Sequence, residues 1–327
     1  MFAKQTSRSA SLIVVLAWPV IALADPEPTG TFEIGAGYDT DYGFGAVARV
    51  SQSDLFHTGN ALTLSSEISE RRQRFDLTFV DPQLGLGGDL FRDTRMLRPG
   101  LWRDSTGIAV TEKVQLSRHW RASVGYRLED VTASSDFSAR SLQPVAMAPG
   151  LLSTVTARLE YSTLDTPIEP LRGSTFGAQL DYSDPRLGSS LELARGTAWA
   201  ATNQPLGPLT LHAGLRATAI SSDSPIPLSE RLYLEGSHDV RGYGLGGIGP
   251  VDGGTYSLVG HVSLELPVYR GFSVEGFADG ADISGYRGAS TGFGVIWRSP
   301  IGPLHFDVAF PIGGGAPMLT FGIGSLW

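Results

Sequence analysis

Arg241 is the side chain in this 327-residue sequence whose type and setting point most clearly to a chemical task, since it lies between Val240 and Gly242, with Tyr243 following. A guanidinium stays charged at any ordinary pH and presents a planar fork of donors, so its natural partners are carboxylates. The stretch around it, 226–243, occupies the longest polar gap of the chain yet carries Leu232, Tyr233, Leu234 and Tyr243, apolar anchors that a freely solvated loop does not need. It reads as a loop that folds back into a cavity with acidic walls. The six histidines, at 57, 119, 212, 238, 261 and 305, form no HExxH, and the chain has no GxSxG and no phosphate-binding glycine loop. A lumen histidine with ordinary hydrogen bonds is preferred to a lipase-like His–Ser pair. The chemistry foreseen is ion pairing, with no catalytic residue, cofactor or metal assigned.

The elements that must position this arginine follow from composition and periodicity. There are no cysteines, 41 glycines, 20 prolines and a net charge of −8; a disulfide scaffold and a thiolate metal site are excluded, and without a basic stripe a nucleic-acid partner is not expected. Lys4 and Arg8, an apolar run from Ser11 to Leu23 and the Ala22-Leu23-Ala24 triplet predict a signal peptide over 1–24, leaving 25–327 as the exported part. Downstream, apolar and polar residues alternate with period two, as in Val155/Ala157/Leu159/Tyr161 against Thr154/Thr156/Arg158/Glu160. Sixteen such runs are predicted near 30–38, 43–52, 60–69, 72–80, 87–96, 105–117, 120–130, 152–163, 173–183, 190–201, 208–220, 255–268, 271–281, 289–299, 302–312 and 318–327. Their length suits strands that cross a bilayer at a tilt. An even count, with short turns alternating with longer loops, predicts an all-β fold: a sixteen-stranded antiparallel transmembrane β-barrel in which 226–243 belongs to the sixth surface loop. Arg92, Glu112 and Arg195 break the pattern, falling on what should be the apolar face, and the 164–172 turn is longer than expected.

Near the C-terminus the inward positions become specific. Alternation points Glu275, Phe277 and Asp279 into the lumen, with Gly280 next in sequence. Gly292 and Gly294 leave a patch of wall without side chains, and His305 and Asp307 face inward beside it. Asp279 is the first choice as acceptor for Arg241, and Asp307 the second.

Taken together, Val240-Arg241-Gly242-Tyr243, Phe277-Ala278-Asp279-Gly280, Gly292-Phe293-Gly294 and the run from Trp297 to Ala309 resemble the bacterial surface antigen barrel of the BamA/TamA outer-membrane assembly factors. The resemblance extends over the mature chain and is most specific over 226–327. It implies a barrel of the bacterial outer membrane whose sixth loop tucks into the lumen and whose first and last strands part sideways to insert or translocate proteins. Carried over, the seam runs along Thr31, Ile34 and Tyr38 on one side and Phe321, Gly322, Gly324 and Trp327 on the other. The final aromatic resembles the assembly signal of barrel proteins, where phenylalanine is commoner. One departure stands out: only Asp25 to Gly30 separates the expected cleavage site from the first strand, so no periplasmic POTRA module is expected within this sequence. The partners implied are outer-membrane lipid, client outer-membrane proteins and a separate periplasmic protein. The alternative is a passive, porin-like channel narrowed by the same loop.

Overall fold

The computed structural model describes residues 29–135, 146–166, 169–299 and 302–323; the expected signal segment and the seam residues Gly324 and Trp327 lie outside them. Sixteen strands make one antiparallel sheet in which each pairs with its sequence neighbours. The first eight are β1 (Gly30–Asp39), β2 (Gly43–Leu55), β3 (Asn60–Ser69), β4 (Arg72–Asp81), β5 (Leu86–Arg98), β6 (Leu101–Gln115), β7 (Trp120–Ser135) and β8 (Gly150–Ser162). The others are β9 (Gly173–Ser183), β10 (Leu193–Leu206), β11 (Leu209–Ser221), β12 (Tyr256–Tyr269), β13 (Phe272–Ile283), β14 (Tyr286–Ser299), β15 (Gly302–Pro311) and β16 (Met318–Ile323). Among the described residues the only helices are three 3₁₀ turns of three residues each.

Alternation explains the curl of this sheet. Phe176, Leu180 and Tyr182 of β9, or Leu258, Val262 and Leu264 of β12, are exposed on the outer face, where lipid replaces water as the favourable contact. Aromatic side chains cluster outside at the end bearing the short turns: Tyr161 stacks on Phe176 at 4.9 Å, Trp120 meets both, and Phe272 stacks on Trp297 at 5.6 Å. Such rings suit the boundary between hydrocarbon and headgroups.

Two strand assignments shift from the sequence reading. β10 spans Leu193–Leu206 instead of 190–201, and its register turns Arg195 inward, where it donates to the Glu230 carbonyl at 2.9 Å. β6 starts at Leu101, four residues before the predicted 105, and so brings Arg103 into the lumen wall. Arg92 and Glu112 do stay on the outer face. Arg92 is matched there by Asp104 on β6 at 2.9 Å, and the register shift between β5 and β6 comes later, between Met96 and Arg98. The long turn between β8 and β9 has a contact that accounts for its length, because Glu169 reaches Arg298 of β14 at 2.7 Å across the base of the lumen.

The ladder runs from β1 to β16 and, among the described residues, does not continue from β16 back to β1. A backbone donor of β16, Phe321 N, meets Thr40 Oγ1 at 3.0 Å in the turn after β1. Inside the cylinder, two cavities of about 610 and 600 Å³ line up with the segment between β11 and β12, which contributes side chains to both.

Candidate functional site: a loop locked inside the barrel

Loop 6, residues 222–255 between β11 and β12, is held first by apolar anchors. Leu234, Val240 and Ile248 pack with Val259, Ala281 and Ile283 of the wall, Ile226 packs with Leu191, Leu193 and Ile220, and Leu232 touches both groups. Burying these side chains stabilises the inward path by roughly 1.5–3 kcal/mol each before ordering costs. A polar stretch with such anchors therefore lies in the lumen and not over the rim. Val240 is completely buried, which fixes the residue before the arginine.

Arg241 is itself only 2% exposed. Its guanidinium grips Asp279 with two bonds, Nε to Oδ2 at 2.7 Å and Nη2 to Oδ1 at 2.9 Å, and its backbone N–H donates to the same carboxylate at 3.2 Å. Nη1 donates to Glu275 at 3.0 Å and lies 3.5 Å from Asp307 Oδ2. The Phe277 ring forms the floor, 3.3 Å from the guanidinium carbon. Burial works against the arginine's charge, and Asp279, Glu275 and Asp307 more than offset it, so its pKa rises further. Bidentate pairing with a stacked face is a geometry that lysine cannot reproduce.

Glycines make room for this arrangement. Gly242 has φ +92°, a conformation that L side chains rarely adopt, and a Cβ there would press on Ala309 and Pro311. A Cβ on Gly292 would collide with the Phe277 ring and the Val308 carbonyl, and one on Gly294 with the Asp307 carboxylate. The bare patch read from the sequence is thus filled by side chains of the neighbouring strands β13 and β15, and these in turn receive Arg241. Tyr243 donates its hydroxyl to the Ala289 carbonyl at 3.2 Å. Gly280 does not belong to the wall: alternation along β13 puts it on the outer face, one residue beyond Asp279, and a Cβ there would make only ordinary contacts.

Three further tethers were not foreseen. Glu230, at the start of loop 6, accepts from Arg103 Nε at 3.1 Å, and Arg103 Nη2 also donates to Glu129 at 3.1 Å. Burial pushes the Glu230 carboxyl up, but Arg103 and Arg195 outweigh this and leave it below the usual range. Asp239 pairs with Arg216 of β11 and accepts from the Glu235 N–H at 2.7 Å; burial nevertheless raises its pKa. Asp41, in the turn between β1 and β2, accepts from both the backbone N–H and the hydroxyl of Ser237. A signal for Glu230 was present, since it falls inside the anchored stretch 226–243. Its partner Arg103 falls between the expected strands 87–96 and 105–117, so the pair is not legible in the sequence.

Of the described seam positions, Thr31 and Ile34 are exposed, Tyr38 and Phe321 half-buried and Gly322 buried. Ile34 is exposed on the outer wall, Tyr38 packs edge-on against Phe44 at 5.0 Å, Phe321 packs on Phe306 at 4.9 Å, and Gly322 lies opposite His305. Thr31 is exposed and pairs with Ser51.

The sixteen-stranded barrel has counterparts among known proteins. Residues 54–325 match the Omp85 superfamily domain. The chain belongs to the Omp85 superfamily. It is 24% identical over 314 residues to the outer membrane protein assembly factor BamA of Nitratidesulfovibrio vulgaris, a match covering 88% of this chain and 40% of that protein. It is also 24% identical over 358 residues to the BamA of Neisseria meningitidis serogroup B, covering 87% of this chain and 45% of the relative. The chain therefore spans about two fifths of the length of the curated relatives it matches. Among solved structures, BamA from Haemophilus ducreyi lacking POTRA domains 1–3 superposes with a TM-score of 0.78 at 18% identity, covering 91% of this chain and 70% of that one. CdiB from Escherichia coli gives 0.57 at 13% identity, covering 92% and 63%. This Omp85 barrel is a BamA-type β-barrel of the bacterial outer membrane.

Proposed function

We propose that the chain helps insert or translocate other polypeptides at the outer membrane, using the edge between β1 and β16 as a lateral opening and loop 6 as an internal brace. The observation that carries this reading is the coincidence of a β1–β16 edge without a ladder among the described residues and a loop tied by buried ion pairs to the nearby wall strands β13 and β15. A closed porin satisfies every strand edge by pairing. Over its described residues β16 has no ladder to β1, an edge that would be open to lipid or to an incoming strand, and strand addition to such an edge is a general route of polypeptide recognition. The curated relatives are named outer membrane protein assembly factors, which supports the reading. Client barrel proteins and a periplasmic partner are the corresponding proposed partners, and no bond-making step is invoked.

Because the chain has no cysteine, a Thr40→Cys/Phe321→Cys pair would supply its only thiols, at positions already joined by a hydrogen bond. In liposomes fed an unfolded barrel protein, the oxidised pair should lose assembly activity and reduction should restore it. Full activity with the seam locked would remove the lateral opening from the mechanism. The passive-channel reading draws on the two lumen cavities, and a steady conductance from the unmutated protein in planar bilayers, unchanged by locking, would favour it instead.

A further inference from the structure

We propose that Asp39, Asp41 and His238 form a divalent-cation site that fastens the turn between β1 and β2 to loop 6. The three residues each present a ligand atom, and these lie within 4.8 Å of one another. The backbone has already divided the work within each carboxylate. Asp39 Oδ1 accepts from the N–H groups of Asp41 and Tyr42 at 2.8 and 2.9 Å, which leaves Oδ2 facing His238 Nε2 at 3.2 Å. Asp41 Oδ2 takes both donors of Ser237, which leaves Oδ1.

That leftover oxygen is what points to a ligand. Asp41 is fully buried, and its Oδ1 has no hydrogen-bond partner among the described residues. A buried carboxylate oxygen without a donor costs more than a typical hydrogen bond contributes, and a cation is a partner that would satisfy it. Arg71 does not supply it, since its Nη1 donates to the backbone carbonyl of Asp41 at 2.6 Å. His238 Nε2 is likewise without an aligned hydrogen bond, despite its 3.2 Å approach to Asp39. A metal bonded at about 2.0–2.2 Å holds its ligand atoms roughly 3–3.5 Å apart, and the His238–Asp39 separation already matches. The ligand atom of Asp41 lies within 4.8 Å of both. The Tyr42 ring, 5.5 Å from the imidazole, limits its rotation.

One neutral imidazole and two carboxylates balance a 2+ charge and suit a borderline ion such as Zn²⁺ or Mn²⁺. Backbone donors that orient the ligating carboxylates are the usual supporting shell of such centres. The location gives the site a consequence. The Thr40-Asp41-Tyr42 turn contacts β16 through Phe321, so a bound cation would couple loop 6 to the outer end of the seam.

The test is titration of the barrel, prepared without a polyhistidine tag and stripped with chelator, using zinc chloride and manganese chloride in calorimetry. One equivalent of at least one of these ions should bind saturably. His238→Gln should weaken that binding by at least about tenfold, as should Asp41→Asn, whereas His57→Gln, on an exposed turn at the other end of the barrel, should leave it unchanged. Heat-modifiability on gels verifies that each variant is folded; if Asp41→Asn fails to fold, His238→Gln decides. The ion should also raise the unfolding temperature of the parent barrel but not of His238→Gln. No saturable uptake of either ion, or uptake that survives His238→Gln, would overturn the site.

Discussion

The wall built by β12 to β15 and the edge between β1 and β16 belong to one sheet, yet they are held by different forces. On the wall, backbone ladders of ten to fourteen residues are reinforced from inside by Arg241, three carboxylates and the Phe277 ring. At the edge, β16, described over Met318–Ile323, meets the β1–β2 turn through the Phe321–Thr40 hydrogen bond, and no ladder joins the two strands among the described residues. The contrast teaches that this barrel is fastened by side chains where it is already well paired, and not along the edge at which the proposed lateral opening lies. Loop 6 touches both regions, since Arg241 sits on β13 while Ser237 holds Asp41.

The sharpest way to break the comparison is to remove one half of the lock. Asp279→Ala leaves a buried guanidinium short of its bidentate partner and should cost about 3–5 kcal/mol, read as a lower midpoint in denaturant or in heat-modifiability. Arg241→Ala should be comparably severe because three carboxylates lose their cation. The double variant should lose less than the sum of the singles; strict additivity would show that the two residues do not act together. A smaller effect is expected at the other end of the loop. Glu230→Gln keeps the shape but weakens the bonds to Arg103, at a cost of about 1.5–3 kcal/mol near neutral pH. Since the Glu230 carboxyl is held below its ordinary value, its contribution is complete above an unfolded pKa of about 4.3 and is lost as pH falls through the lower folded value. The stability gap between parent and variant should close over that acid window, and a gap that persists there would detach Glu230 from the ion network. The mildest perturbation is Thr40→Val, which removes the hydrogen bond to Phe321 and should lower global stability by about 1 kcal/mol or less, in the same unfolding measurement.

Much of this architecture was legible because lipid on one face and water on the other impose a period of two on nearly every strand. Sixteen runs, the inward direction of Glu275, Phe277, Asp279 and Asp307, and the need for small residues at 292 and 294 all follow from that alternation. Strand ends were less legible. β6 and β7 extend above the apolar belt, where alternation carries no lipid signature, so Arg103 escaped notice and with it the partner of Glu230. Glu275 was read as inward but not as a ligand of Arg241, because spacing alone does not tell which of several inward acids a loop will reach. Asp41 lies in a three-residue turn, its carboxylate held by Ser237, nearly two hundred residues away, and no local pattern announces that.

Amide hydrogen exchange of the barrel in lipid nanodiscs, resolved by strand, tests the central contrast most directly. The account predicts that β13 and β14, backed by Arg241, exchange only at the rate of global unfolding, whereas β1 and β16 exchange orders of magnitude faster through local opening. Equal protection of the two regions would contradict it.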